Sequence, residues 1–494
     1  MRKSGILLHI SSLPSDYGIG TMGREAYKFV DFLKEAKQGY WQILPVGPTS
    51  YGDSPYQSFS TFAGNPYFID LDMLAEEKLL KKDEYNDLDW GGHKNYVDYA
   101  TIYKTRFKVL KKAFRRFKKG DLTEFNQFLQ ENDKWISNYA MFMSIKDKYK
   151  GKPWLDWDEG LRNHDGQALW EYTQEHGDEV MFWEFLQFKF FEQWKTLKEY
   201  ANENGVQIIG DIPIYVALDS ADVWVNPDLF ELDEKREPVS VAGCPPDAFS
   251  PTGQLWGNPI YNWEHHRQWG YNWWIDRIKA ATELYDIVRI DHFRGFEGYY
   301  AIPYGDKTAE NGEWRKGPGM ELFNAVEKAL GSLPIIAEDL GFLTDDVHKL
   351  LRDSGFPGMK VLEFAFDPRE PSNYLPHTYS YNSVVYIGTH DNDTIKGWLG
   401  DLDRDTIDFC KKYLDIEKDE DIPWKLIKTA LATVSDTAII QMQDYLELGS
   451  ESRMNIPSTL GNNWKWRMSK NDATKKLAKK IAEISSIYAR CERL

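Results

Sequence analysis

The chain has 494 residues, with 60 Lys and Arg against 77 Asp and Glu, a formal net charge of −17. That balance excludes nucleic acid and anionic membrane surfaces as main partners, because phosphates would be repelled. A hydrophobic share of 42% and a charged share of 28% are globular, not disordered or fibrous.

Cys244, Cys410 and Cys491 lie far apart and match neither a disulfide framework nor a zinc site. The opening stretch MRKSGILLHISSLPS has too short an apolar run for a signal peptide, and no run approaches 18 apolar residues. A soluble cytoplasmic protein is the expectation. The chain also carries 19 Trp, 28 Tyr and 26 Phe. Many fall in polar, Gly/Pro-punctuated stretches such as 154–157, 256–263 and 464–466, where flat rings suit ligands with flat faces.

Eight short, nearly continuous apolar runs recur along the chain. They are residues 5–11 (GILLHIS), 40–46 (YWQILPV), 206–216 (VQIIGDIPIYV), 287–293 (IVRIDHF), 334–340 (PIIAEDL), 359–366 (MKVLEFAF), 383–389 (SVVYIGT) and 438–442 (AIIQM). Runs of this kind suit strands buried on both faces of a parallel sheet. Amphipathic helical patterns at 25–37, 321–330 and 345–353 fall between them, the last behind a Thr344 cap. Eight strands alternating with helices predict an α/β fold, a (β/α)8 barrel.

The second and third runs are about 160 residues apart, far more than a crossover needs. Helical patterns at 96–119 and 184–202 fill that gap. The expected division is a catalytic barrel over 1–50 and 205–494, with a mostly helical subdomain inserted over 51–204. After the eighth run a final helix at 473–490 closes the barrel, with no C-terminal β-sandwich expected.

Gly18–Gly23 spells GxGxxG, but six residues including Pro14 separate it from the preceding run. The second run ends in Leu44-Pro45, without an acid for a ribose, so a nucleotide site is rejected. His265 and His266 beside Glu264 have no metal-ligand spacing, and His9, His93 and His164 stand alone. No metal or organic cofactor is expected.

Acids, however, follow several apolar runs abruptly: Asp211 within the third, Asp291 in the fourth, Glu338 in the fifth and Asp391 after the seventh. One such acid commonly caps a helix or turn, but a barrel converges several at its carboxyl face. Arg289 shares a strand face with Asp291 and favours its ionised form. Glu338 on a neighbouring strand is then the second carboxyl. Two carboxyls about 5–5.5 Å apart are the arrangement of a retaining glycosidase.

With these residues in view, the chain resembles the amylomaltases, the disproportionating-enzyme family of 4-α-glucanotransferases (glycoside hydrolase family 77). The likeness rests on 5–20 (GILLHISSLPSDYGIG), 41–67 (WQILPVGPTSYGDSPYQSFSTFAGNPY), 210–216 (GDIPIYV) and 246–263 (PDAFSPTGQLWGNPIYNW). It continues through 289–295 (RIDHFRG), 337–341 (AEDLG) and 389–392 (THDN). The resemblance implies Asp291 as nucleophile, Glu338 as acid/base and Asp391 as a third acid gripping the sugar. It implies that Arg289 and His390 contact that sugar and that Ser54 and Tyr56 lie on an acceptor side or outer groove. It also implies a mobile loop over 246–256 with contacts from Asp247, Gln254 and Trp256. Asp367 and Asn463 are weaker correspondences, and Asp211 is carried as a further substrate contact. The implied partners are maltooligosaccharides, amylose or related α-1,4-glucans, exchanged by a two-step displacement with retention. An α-amylase-type hydrolase with the same acids, and a glucan-binding barrel without catalysis, are the alternatives.

Overall fold

The computed structural model describes every residue except Met1, Tyr51, 247–249, Phe342 and 492–494. Twelve strands are present among the described residues. In chain order they are β1 (Lys3–Leu7), β2 (Tyr40–Gln42), β3 (Gln207–Pro213), β4 (Ser240–Cys244), β5 (Gln254–Pro259) and β6 (Ile287–Asp291). They continue with β7 (Gly298–Pro303), β8 (Glu313–Lys316), β9 (Ile335–Ala337), β10 (Gly358–Val361), β11 (Ser383–Tyr386) and β12 (Thr437–Gln441).

Eight of them, one from each apolar run, form a parallel sheet in the order β10-β11-β12-β1-β2-β3-β6-β9. The seam between β9 and β10 is bridged by Ala337 N–H donating to the Pro357 carbonyl at 3.0 Å, and by Met359 N–H donating to Asp339 Oδ1 at 2.6 Å. The sheet is therefore a nearly closed (β/α)8 barrel, as expected. The strands are shorter than the runs: residues 5–11 yield β1 and then a 3-10 turn at Ile10–Ser12, and 40–46 yields only Tyr40–Gln42. The apolar residues beyond each strand line the barrel mouth, where burial continues after ladder pairing stops.

Close packing outside the barrel sets one glycine. A Cβ at Gly210 would lie 2.1 Å from the Tyr285 ring, so β3 passes that ring only as glycine.

No strand lies between β2 and β3 among the described residues. Helices fill the interval, including Tyr99–Phe117, Ile136–Lys148 and the 38-residue Gly166–Glu203, which is kinked at His176. That long helix holds the chain leaving β2. Gln187, fully buried, accepts from Gly64 N–H at 2.7 Å and donates to Gly64 O at 2.9 Å. Gln193 does the same for Asp70, at 2.6 and 3.2 Å. Two side-chain amides thus pair backbone groups that would otherwise be buried and unsatisfied.

A second sheet was not legible in the sequence. β5-β4-β7-β8 is antiparallel and is built from the excursions after β3 and after β6. Its strands differ in burial, β4 and β7 nearly buried throughout while β5 and β8 are largely open, and they do not share the continuous apolar signature that marks the barrel. After β12, the helix Lys475–Ile487 packs on Arg24–Glu35, and no strand follows Gln441 among the described residues.

Candidate active site

The site forms where β3, β6 and β9 run side by side. Their register pairs Asp211 with Arg289 and Ile290 with Ala337, so Asp291 and Glu338 each come one residue past a matched pair. Parallel register and alternation then turn Asp211, Arg289, Asp291 and Glu338 to the same side of the sheet.

Arg289 Nη1 lies 2.8 and 2.7 Å from the two oxygens of Asp211 and 3.0 Å from Asp291 Oδ1. Burial alone would favour loss of its proton. Asp211 and then Asp291 more than offset that, holding Arg289 well above the usual guanidinium range. Tyr56 OH completes the cluster by donating to Asp211 Oδ2 at 2.8 Å. Asp211 is 0% exposed and the Asp291 side chain 29% exposed. Asp211 is thus the buried counter-ion that fixes Arg289, and Asp291 is the end of the chain of charges that reaches the cleft.

Glu338 is held by the backbone. His292 adopts the left-handed conformation (φ 52°) directly after β6, and its N–H donates to Glu338 Oε2 at 2.6 Å. Leu340 N–H donates to Oε1 at 2.8 Å. Burial, followed by the charge of Asp291, pushes the Glu338 carboxyl up to about 8 despite these donors and Arg289. Asp291 is pushed up to about 6, chiefly by burial, with Arg289 opposing. The arginine therefore does not hold Asp291 in the ordinary carboxylate range, as the strand alternation suggests. Burial exceeds its pull. The ordering remains: near neutrality Asp291 is ionised and Glu338 is protonated, one carboxylate beside one proton-bearing carboxyl.

Asp391 enters from the loop after β11, and its negative charge acts on Asp291. Its side chain is 44% exposed, more open than those of Asp211 and Asp291. Asn455 Nδ2 donates to Asp391 Oδ1 at 2.6 Å, Arg453 Nη2 to the Asp391 carbonyl at 2.7 Å, and His390 Nε2 lies 3.4 Å from Oδ1. The His390 ring stacks on Tyr56, with centroids 5.1 Å apart and planes 15° apart, and both rings touch Trp464.

The remaining expected contacts divide. Trp256, on β5, meets the His292 ring edge-on at 4.8 Å and donates its indole N–H to Gln254 Oε1 at 3.1 Å, so both flank the acids. Arg289, His390 and Asp211, also expected as ligand contacts, are buried and adjoin the acids and Tyr56. Ser54 Oγ accepts from Tyr56 N–H at 3.2 Å and so shapes the turn that aims Tyr56. Asn463 is also buried; its amide accepts from Ile456 N–H and donates to Thr459 O, bracing the loop that delivers Asn455. Asp367 is separate: its oxygens bind Arg369 at 2.8 Å each, on the surface. Asp247 lies outside the described residues. The sequence reading missed Asn455, Arg453 and His292, and held Trp464 only as part of an aromatic stretch. Asn455 and Arg453 lie more than 60 positions from Asp391, and no spacing marked them. His292 sat inside a quoted motif, where its left-handed backbone gave no sequence signal.

Comparison with known proteins bears on this geometry. Residues 8–473 match the family model for glycoside hydrolase family 77, 4-alpha-glucanotransferase. The chain is 50% identical over 487 residues to the 4-alpha-glucanotransferase of Clostridium butyricum, covering 98% of this chain and 100% of the relative. It is 46% identical over 478 residues to that of Thermus thermophilus, covering 94% and 95%. Among solved structures, the amylomaltase from Streptococcus agalactiae in complex with acarbose superposes with a TM-score of 0.98 at 46% identity over the whole of both chains. The amylomaltase from Corynebacterium glutamicum, 18% identical over 98% of this chain and 75% of its own, shares the fold with a TM-score of 0.78. With the barrel, the acids at its mouth and these likenesses together, the chain belongs to the 4-alpha-glucanotransferases of glycoside hydrolase family 77.

Proposed function

We propose that the protein moves α-1,4-glucan segments between maltooligosaccharides or amylose chains by a retaining double displacement. The observation that carries the chemistry is the split between Asp291, tied to Arg289, and Glu338, half-buried and raised to about 8. Asp291 attacks the anomeric carbon while Glu338 gives its proton to the departing 4-oxygen, and a covalent glycosyl-enzyme forms. Glu338, now a base, takes the proton of an incoming 4-hydroxyl, and attack on the anomeric carbon releases Asp291 with retention. Asp391, held by Asn455 but open to the cleft, binds the hydroxyls of the same sugar as its ring flattens.

Transfer, rather than hydrolysis, requires that a sugar outcompete water at the glycosyl-enzyme. Orientation and exclusion of solvent achieve this. Trp256 over His292, with the neighbouring residues 250–255, is the proposed cover, and Tyr56 shapes the acceptor side. The helical segment 51–204 is proposed as a subdomain whose role is to fix the Tyr56 loop, through Gln187 and Gln193. A cytoplasmic setting completes the proposal. No described helix is long and apolar enough to cross a membrane, and none of the three cysteines is disulfide-bonded, as suits a reducing compartment.

The test is incubation with maltotriose and separation of products over time. Glucose together with maltopentaose and longer chains, at constant reducing ends, is expected. Glucose and maltose with rising reducing ends would replace the proposal with hydrolysis.

A further inference from the structure

A second group of carboxyls lies beneath the Asp391 loop, apart from the three acids at the cleft. Glu363 follows β10, and its N–H donates to the Ile387 carbonyl at 3.0 Å. Its carboxyl runs under Gly388, where a Cβ would sit 2.8 Å from Oε1. That oxygen is buried and has no hydrogen-bond partner. The Asn392 side chain bonds the same carboxyl. In turn, Asn392 Oδ1 accepts from both Thr389 N–H and Thr389 Oγ1 at 2.9 Å. The turn that presents His390 and Asp391 is thus closed around one amide, and Glu363 supports that amide from below.

Asp444 arrives from the other side, in the short helix Met442–Tyr445 after β12. Its Oδ1 accepts from Ile395 N–H at 2.8 Å, while Oδ2 is buried and unpartnered. Asp393 stands beside both, accepting from Thr394 N–H at 2.7 Å and Ser450 Oγ at 2.8 Å. Arg453 is the cation that faces the group, 3.8 Å from Asp393, and it also donates to the carbonyls of Asp391 and Asn455. Tyr445 borders Asp444 as well. Three carboxyls therefore gather near one guanidinium, which pairs with Asp393, and oxygens of the other two are buried without donors. An ionised carboxylate oxygen buried without a donor is costly, so the unpartnered Oε1 favours a protonated Glu363.

We infer that Glu363 is a positioning residue for Asp391, holding the 389–393 turn through Asn392 in its neutral, protonated form. Burial, followed by the charge of Asp444, raises the Glu363 carboxyl well above its usual range, in keeping with that role. The inference rests on the proposal that Asp391 grips the sugar at the cleaved bond. Its consequence is specific. Glutamine at 363 keeps both the shape and the donor, whereas alanine keeps neither.

The experiment compares wild type, Glu363→Gln and Glu363→Ala in maltotriose disproportionation, with thermal melting and infrared spectra of the protonated-carboxyl band. Glu363→Gln is expected to retain kcat/KM within about threefold while losing one buried protonated-carboxyl band. Glu363→Ala is expected to lose about 10²-fold, since misplacing a sugar-gripping acid by 1 Å costs that much. Transfer by wild type alone, with the Gln variant folded but as impaired as the Ala variant, would overturn the inference. So would an unchanged carboxyl band in the Gln variant. Failure of wild type to transfer at all would instead strike the proposed function. Should the Ala variant fail to fold, the Gln variant and its spectrum still decide.

Discussion

The proposed division of labour between Asp291 as nucleophile and Glu338 as proton donor predicts the pH dependence of transfer, and a single substitution dissects it. Asp291 must be ionised to attack, so kcat/KM rises as pH climbs through about 6. Glu338 must be protonated to release the leaving oxygen, so kcat/KM falls through about 8. Between the limbs lies a plateau near neutrality, and each pH unit outside it costs about tenfold per proton. The two carboxyls interact, so the limbs belong to the pair. Glu338→Gln removes the donor, and turnover on maltotriose falls by about 10²–10⁴-fold. The same change has an opposite effect on stability. Glu338 binds its proton more tightly when folded than in the unfolded chain, where its ordinary value is 4.5. Its contribution is therefore complete below about 4.5 and is lost as pH rises through about 8. The glutamine variant avoids that loss, so its melting temperature exceeds that of wild type at pH 9 by more than at pH 5. The assay pairs initial transfer rates from pH 4.5 to 9.5 with melting curves of both proteins. A wild-type profile without an alkaline limb, or a glutamine variant that keeps that limb and near-normal rates, would refute the assignment of Glu338.

Asn455→Ala removes the amide that binds Asp391 Oδ1 at 2.6 Å. Because Asp391 is partly open to water, the loss is limited to about tenfold in kcat/KM, roughly 1.4 kcal/mol, read from steady-state maltotriose kinetics. Trp256→Ala uncovers the His292 side of the cleft, so the ratio of hydrolysis to transfer rises, measured as reducing ends against chain-length redistribution. Gln187→Ala strands the buried Gly64 N–H and carbonyl, which costs about 1–3 kcal/mol in a denaturant titration. Restoring temperature or substrate concentration should leave the residual catalytic pH profile of that variant unchanged.

The parts of the fold that were legible are those whose residues repeat one physical signal. Ile208, Ile209, Val288 and Ile290 are buried on both faces of the barrel, and continuous apolar runs mark such strands without reference to their partners. The acids were legible because a charge directly after such a run stands out, as Asp291 and Glu338 do. The β5-β4-β7-β8 sheet was not, because its short strands carry a mixed sequence pattern, interrupted by glycine in β4 and by glycine and proline in β5. Asn455 and Arg453 were invisible because only tertiary folding brings 453–455 to Asp391. Arg289 was read correctly as the neighbour of Asp291. Its stronger bond to Asp211, and the burial that raises Asp291 regardless, depend on the depth of the site, which spacing along a chain does not encode.

The most direct test of the account is to trap the glycosyl-enzyme. Glu338→Gln is incubated with an α-maltotriosyl fluoride, whose fluoride leaves without a proton, and the protein is digested and analysed by mass spectrometry. Without its base the variant forms the intermediate and resolves it slowly, so a maltotriosyl adduct is predicted on the peptide containing Asp291, absent in Asp291→Asn/Glu338→Gln. An adduct on another carboxyl, or release of fluoride with no adduct at any time point, would contradict the assignment of Asp291 as the nucleophile.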